Sequence, residues 1–217
     1  PSSGGSDGDT FTELYKPPIP IPPQASAVHH ISNEMVKDKS AFAESDDFNR
    51  IKEMFEHEGS IVVAHNVAFD LGMIKKEGIT PKNTICTLRV ARFLDREGKL
   101  AKHNLQFLRY ALGIEIDATA HDAMGDVLVM EQLYHRLLKK IMSEESIGED
   151  EAVEKMIEIS SKPSLFRTIS FGKHAGKKIE DILNTDKNYL EWLLAQKETN
   201  NKGDEDWIYT LKHYLGK

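Results

Sequence analysis

The chain has 217 residues, 40% of them hydrophobic and 29% charged, which suits one substantial core with room for a small second one. The net charge of −7 counts against a protein that coats DNA by neutralising phosphates, but not against a nuclease, whose sites concentrate carboxylates around metal ions. No stretch approaches the roughly 18 apolar residues of a membrane span, no signal-peptide pattern opens the chain, and the lone Cys86 excludes an internal disulfide or a cysteine-built zinc site, so a reducing cytoplasm is the expected compartment.

The opening "PSSGGSDGDT" lacks a methionine and has a flexible composition, so it reads as a truncated N-terminus or a loop entered in mid-domain. "TFTELYKPP" alternates like a short strand, and "KPPIPIPPQAS" then predicts an extended loop. "SDDFNRIKEMFEHEG" reads as a helix capped by Ser45 or Asp46 and ended by Gly59, with Phe48, Ile51, Met54 and Phe55 as its inward stripe. "SIVVA" is a continuous apolar run, as expected of a strand covered on both faces. "FDLGMIKKEG" predicts a short helix, "TIC" a short strand that buries Cys86, and "LRVARFLD" another helix. "HNLQFLRYALG" reads as a helix capped by Asn104 with Leu105, Leu108 and Leu112 inward. "AHDAMGDVLVMEQLYHRLLKK" continues with Leu128, Leu133, Leu137, Leu138 and Ile141 on one helical face. Strands alternating with helices indicate an α/β layer fold. The acidic "SEESIGEDEAVEKMIEISSKP" then suits a linker plus one short helix, and a small α+β module follows from about residue 164.

Two segments carry residues suited to chemistry. In "AHNVAFD" an apolar strand ends in His65-Asn66 and enters a helix at Phe69-Asp70, which puts polar groups at the strand's C-terminal edge, where open α/β sheets bind ligands. In "HDAMGD" a fully helical His121 and Asp126 would point about 140° apart. They converge only if His121 stays in the preceding loop, Asp122 caps the helix and Asp126 lies one turn in. Aspartates are hard oxygen donors for Mg²⁺ or Mn²⁺, and a neutral histidine can take a proton from an attacking water. The ordinary alternative makes Asp70 and Asp126 first-turn acids favoured by the helix dipole, with His65 and His121 as hydrogen-bonded loop residues. Spacing alone leaves both open.

"AHNVAFD" resembles the second motif, H-N-x-x-F-D, of the DEDDh 3′→5′ exonucleases, the relatives of the DNA polymerase III epsilon proofreading subunit, and "HDAMGD" resembles their third, H-x-A-x-x-D. "IPPQASAVHHIS" is similar to the loop before these motifs, ending in a His-x-Ile pattern at His29 and Ile31. "PSLFRTISFGKHAGKKIEDI", with the later "YLEWLL" and "LKHYL", resembles the end of exodeoxyribonuclease X-like proteins. The resemblance implies a ribonuclease H-like α/β fold, with a mixed sheet flanked by helices. Residues 1–142 would form the exonuclease domain, 143–163 a linker with a short helix, and 164–217 a small C-terminal α+β module.

It further implies that Asp70 and Asp126 are metal-linked catalytic carboxylates, His121 the general base, and two Mg²⁺ or Mn²⁺ ions the cofactors of the complete site. Asn66 would order the turn near the substrate, with His29 in the adjoining loop, while His65 and Phe69 have packing and positioning roles. The expected substrate is a DNA 3′ end, single-stranded or frayed, in repair or proofreading. The alternatives are an exoribonuclease and a non-catalytic nucleic-acid-binding protein of the same fold. The family's first motif, Asp-x-Glu on an N-terminal strand, has no counterpart here, since Asp7, Asp9 and Glu13 are the only early acids. Either that strand precedes Pro1, as the non-methionine start favours, or the carboxylate cluster is halved.

The C-terminal "FGKHAGKKI" joins an aromatic, two glycines and three lysines in nine residues, inside a 17-residue stretch that has five cations and no acid. Lys173, Lys177 and Lys178 are the candidate phosphate contacts, and Phe171 or Trp192 could stack on a base. The alternative is a packing module with Phe171, Trp192 and Trp207 as core and the lysines as a solvated face. The stretch lacks the spacing of a P-loop.

Overall fold

A computed structural model describes residues 10–116, 123–200 and 204–217. Helix α1 (Pro23–His29) and the single turn α2 (Asn33–Val36) open the described chain, followed by α3 (Asp47–Glu56), β1 (Ile61–Ala64), α4 (Val67–Ile74) and β2 (Asn83–Cys86). Next come α5 (Thr87–Leu94), α6 (Leu105–Ala111), the long α7 (Ala123–Glu145) and α8 (Glu149–Ser161). The chain closes with α9 (Ile179–Thr185), α10 (Lys187–Asn200) and α11 (Glu205–Leu215).

Strands β1 and β2 pair in parallel, from Ile61 opposite Asn83 to Ala64 opposite Cys86, with α4 in the crossover. Parallel pairing needs such a connection, because a tight turn cannot bring the second strand back in the same direction. This pair is the whole sheet among the described residues, smaller than the mixed sheet the resemblance implies. Ile85, Val90, Leu108, Leu133, Ile141 and Met156 fill the core behind it. Of the expected stripe on α7, Leu133, Leu137, Leu138 and Ile141 are buried and Leu128 only half-buried, while Gly125 and Val129 extend it toward the helix start. On α6 Leu108 is buried, but Leu112, expected inward, is exposed because the helix ends before it.

Several sequence expectations are corrected. Thr10–Pro17 forms no strand; Lys16 N–H donates to the Ser40 carbonyl, and among the described residues no partner strand lies beside the segment. The proline-rich loop turns into α1 at Pro23, because proline at the first helical position loses only a donor that had no partner. Helix α3 starts without a side-chain cap from Asp46, ends at His57 before Gly59, and leaves Met54 exposed. Phe48 of this helix packs locally, edge-on against Phe42, which also meets Tyr15. Strand β1 is half-buried and open at Ile61, not covered on both faces. The acidic segment is mostly helix: Glu151 accepts from Gly148 N–H at the start of α8, and Ala152, Met156 and Ser160, four residues apart, bury one face.

A second core, built from Ile169, Ile179, Ile182, Leu190, Leu193, Leu194 and Leu211, belongs to the C-terminal module. Its only pairing of extended backbone among the described residues is the antiparallel bridge between Thr168 and Lys178. Polar contacts fasten it to the body. Asp206 accepts from Arg92 of the body at 2.7 Å, with Arg89 3.6 Å away, and from Ser164 N–H, where the module begins, at 2.8 Å. Ser160 Oγ accepts from Cys86 N–H at 2.8 Å, which ties α8 to the end of β2.

Candidate active site

Strand β1 delivers His65 and Asn66 to its C-terminal edge. Asn66 precedes α4 in a left-handed conformation (φ 70°, ψ 49°) that lets the chain turn at once from strand into helix. Asparagine tolerates this region better than most L-residues. The turn sets Asp70 in the first turn of α4, still open to solvent. Desolvation raises the Asp70 pKa above the ordinary aspartate value, against a backbone hydrogen bond that lowers it.

His65 is held at both ring nitrogens, by Thr87 Oγ1 at 2.9 Å and the His103 carbonyl at 2.8 Å. Burial lowers its pKa, so the neutral ring donates from Nε2 to the carbonyl and Nδ1 accepts the Thr87 hydroxyl proton. Asp95 accepts from Lys99 N–H, Leu100 N–H and the His103 ring, which sets the loop that carries that carbonyl. His65 is therefore a clamp behind the turn, with no free nitrogen for proton transfer.

Asp126 lies in the first turn of α7, half-buried, and accepts from Gln106 Nε2 at 2.6 Å. Asn104 caps α6 by accepting from Phe107 N–H at 2.8 Å, which fixes the helix that presents Gln106. The sequence reading passed over Gln106. Its signal lies two residues past the Asn104 cap, on the turn of α6 that faces α7. His121 and Asp122 fall outside the described residues.

Asp70 and Asp126 thus stand at the starts of two helices, and both offer the hard oxygen ligands a divalent cation prefers. No group of three or more His, Cys, Asp or Glu able to hold a metal forms among the described residues. Of the early acids, Glu13 is paired with Lys39 at 2.6 Å, and Asp7 and Asp9 lie outside the described residues.

The other candidates divide. His29 ends α1, where its Nδ1 accepts from Ile31 N–H at 3.1 Å, and it is exposed. Lys173 is bound to Asp186 at 2.6 Å, and the same carboxylate takes His174 Nε2 at 2.9 Å. These two hydrogen bonds hold the Asp186 pKa down at about 2. Lys177 and Lys178 are exposed beside the Thr168 bridge. Phe171 leans edge-on against Trp207 at 5.1 Å, and Trp192 is 55% exposed, so of the two proposed stacking rings Trp192 is the more open.

Comparison with known proteins places this geometry. Residues 3–134 match the exonuclease (RNase T) family model, and residues 169–198 match the exodeoxyribonuclease X-like C-terminal model. Exodeoxyribonuclease 10 of Escherichia coli K12 is 31% identical over 209 residues, spanning 94% of this chain and 84% of that protein. DNA polymerase III subunit epsilon of the same strain is 33% identical over 141 residues, 58% of this chain and 54% of that one. The solved structure of exonuclease X in complex with 5′ overhanging duplex DNA superimposes with a TM-score of 0.50 at 24% identity, covering 71% of this chain and 84% of that one. A family match over more than half the chain, with a relative this similar along nearly its whole length, shows that the chain belongs to the exonuclease (RNase T) family.

Proposed function

We propose that this protein is a divalent-metal-dependent exonuclease that removes nucleotides from DNA 3′ ends in repair or proofreading. The observation that carries the proposal is the placement of two motif aspartates at the starts of two helices, Asp70 behind a left-handed Asn66 turn and Asp126 held by Gln106, in a chain of exonuclease family. The printed names of the relatives support DNA as substrate: an exodeoxyribonuclease, a DNA polymerase subunit, and an exonuclease structure that contains duplex DNA.

Asp70 and Asp126 would hold Mg²⁺ or Mn²⁺ through carboxylate oxygens. Such an ion, when bound, supplies Lewis-acid activation of water and stabilisation of the leaving oxygen. The chain's own residues do the rest. His121 takes the proton of the attacking water, Gln106 holds Asp126 in one orientation, and Asn66 orders the turn against the substrate's terminal nucleotide. His29, Lys177 and Lys178 contribute contacts to the strand, and Lys173 would do so only on releasing Asp186. Residues 1–142 serve as the exonuclease domain, 143–163 as its connection, and 164–217 as the accessory module.

The test is degradation of 3′-labelled single-stranded DNA with Mg²⁺ by the full-length protein. Asp70→Asn, Asp126→Asn and His121→Ala should each lower the rate by about 10²-fold or more. Parental rates in the His121 and Asp126 variants would overturn the assignment. An RNA strand of the same sequence, run in parallel, decides between deoxyribonuclease and ribonuclease. Tight binding without cleavage of either would make the protein a non-catalytic binder.

A further inference from the structure

A cleft of about 540 Å³ runs between the exonuclease body and the C-terminal module. This volume falls among those that enclose small molecules, and it has room for a nucleotide of a single strand but not for a duplex. Its body wall includes Asn66, four residues before Asp70, and Asn104, two residues before the Gln106 that holds Asp126. The cap of the helix that carries Asp70 and the cap of the helix whose Gln106 holds Asp126 therefore border the same space. The opposite wall is the 165–170 segment with Trp207.

Three features of that wall suit a nucleic-acid strand. Ile169 N–H donates to the Lys177 carbonyl, and the Arg167 carbonyl accepts from Ile179 N–H, so one edge of the segment is satisfied inside the module. By the alternation of extended backbone, Thr168 and Ser170 present the other edge, and both line the cleft. Phe166 and Trp207, with rings 4.5 Å apart, give the wall an aromatic surface. Arg167 bonds the neutral Tyr214 hydroxyl at 3.3 Å instead of a carboxylate, and Lys102 on the facing loop is exposed, so both carry positive charge to the cleft.

A neighbouring cleft of about 290 Å³ is lined by more cations, but acids answer them. Glu158 takes Lys162 at 2.5 Å and Lys155 at 3.6 Å, and Glu205 lies 3.5 Å from Arg89. Arg167 borders both clefts; in the larger one the lining acid, Asp95, is already taken by Lys99 N–H, Leu100 N–H and the His103 ring, which leaves Lys102 and Arg167 to face a phosphate there.

We infer that the C-terminal module forms the second wall of the substrate channel, with Lys102 and Arg167 gripping phosphates of the single strand and Phe166–Trp207 bearing a base, next to the candidate active site. This inference rests on the nucleic-acid reading of that site. The experiment titrates 5′-fluorescein-labelled oligo(dT) with the full chain in EDTA, read by anisotropy across a salt series, so that no cleavage intervenes. Losing two phosphate contacts should reduce the slope of log affinity against log salt by about 1.4 and weaken binding about 25-fold near 0.1 M salt. Lys102→Gln/Arg167→Gln is the variant expected to show this, with circular dichroism unchanged. Should the double variant fold poorly, Lys102→Gln alone, at an exposed position, should lower the slope by about 0.7. An unchanged slope in either variant overturns the inference, as does a loss of slope in Lys177→Gln/Lys178→Gln in place of the cleft variant. Absence of oligonucleotide binding by the unsubstituted protein would instead overturn the functional proposal beneath it.

Discussion

Asp206→Ala tests how the module is held against the body. The carboxylate takes Ser164 N–H at 2.8 Å and Arg92 at 2.7 Å, and the Asp206 and Arg92 side chains are 20% and 23% exposed. Truncation strands the N–H of a residue that is 7% exposed, at a cost of about 1–3 kcal/mol. It also leaves a partly desolvated guanidinium without its anion; a fully buried pair broken this way costs about 3–5 kcal/mol, and the residual exposure here reduces that. Together the loss should be about 3 kcal/mol. The assay is urea unfolding followed by tryptophan fluorescence, because both tryptophans, Trp192 and Trp207, belong to the module and report its release. Asp206→Asn keeps an acceptor for Ser164 N–H and should lose about half as much. Glu58→Ala is the control: its pair with Lys82 is 86% exposed on the glutamate side and should change stability by no more than about 0.5 kcal/mol. A loss under about 1 kcal/mol for Asp206→Ala would refute the view that this carboxylate fastens the two parts.

Gln106→Leu removes the bond to Asp126 at nearly constant volume and should weaken metal-dependent activity about 10–100-fold, with the metal requirement shifted to higher Mg²⁺ concentration. An unchanged Mg²⁺ titration would show that Asp126 needs no such support. Asn66→Ala should lose about 1 kcal/mol in thermal unfolding because of its left-handed backbone, and Asn66→Gly much less. If the glycine variant nevertheless loses DNA cleavage, the Asn66 side chain acts on the substrate, whereas full activity would confine its role to the turn. His65 and His103 both have pKa values lowered first by desolvation, with Arg92 adding to the effect, and Asp95 opposing it at His103. A histidine held neutral in the fold contributes fully above the unfolded value of 6.5 and loses that contribution as pH falls through the lowered folded value. Stability should therefore decline from about pH 6.5 downward, and His65→Gln should flatten the decline; an identical profile in the variant would refute it.

Elements with a local signature were legible in the sequence. The Asn104 cap, the α7 stripe and the β1–α4–β2 order all follow from period and capping chemistry. Legibility failed where tertiary partners decide. Thr10–Pro17 alternates like a strand, but among the described residues no neighbouring strand offers its backbone a ladder to join. The helix expected in the acidic segment is there and longer than composition suggests, because Ala152, Met156 and Ser160 recur at helical spacing and give it a buried face. Of the site, the motif aspartates and the Asn66 turn were visible in the chain. Gln106, Asp95 and His103 were not, because a lone glutamine or a loop carbonyl has no pattern until folding brings it beside its partner.

The sequence left two accounts of Asp70 and Asp126, helix-dipole acids or metal carboxylates, and the fold places both residues where either account would put them, in first turns. For Asp70 the surroundings bear on the choice. A carboxylate that serves only to complement a helix start is stabilised in its charged form, and its pKa falls. Asp70 shows the reverse, since desolvation outweighs its backbone hydrogen bond and disfavours the anion. A helix start with an aspartate whose charge is under-compensated gains from a cation placed beside it. At Asp126 Gln106 binds Oδ1, so the second carboxylate oxygen is the one the proposed function would offer to a metal ion. Helix-start geometry explains where both residues sit, and the raised pKa of Asp70 fits the metal-carboxylate role of the proposed function. An Asp70 titration that Mg²⁺ leaves unmoved would return this residue to the helix-dipole account.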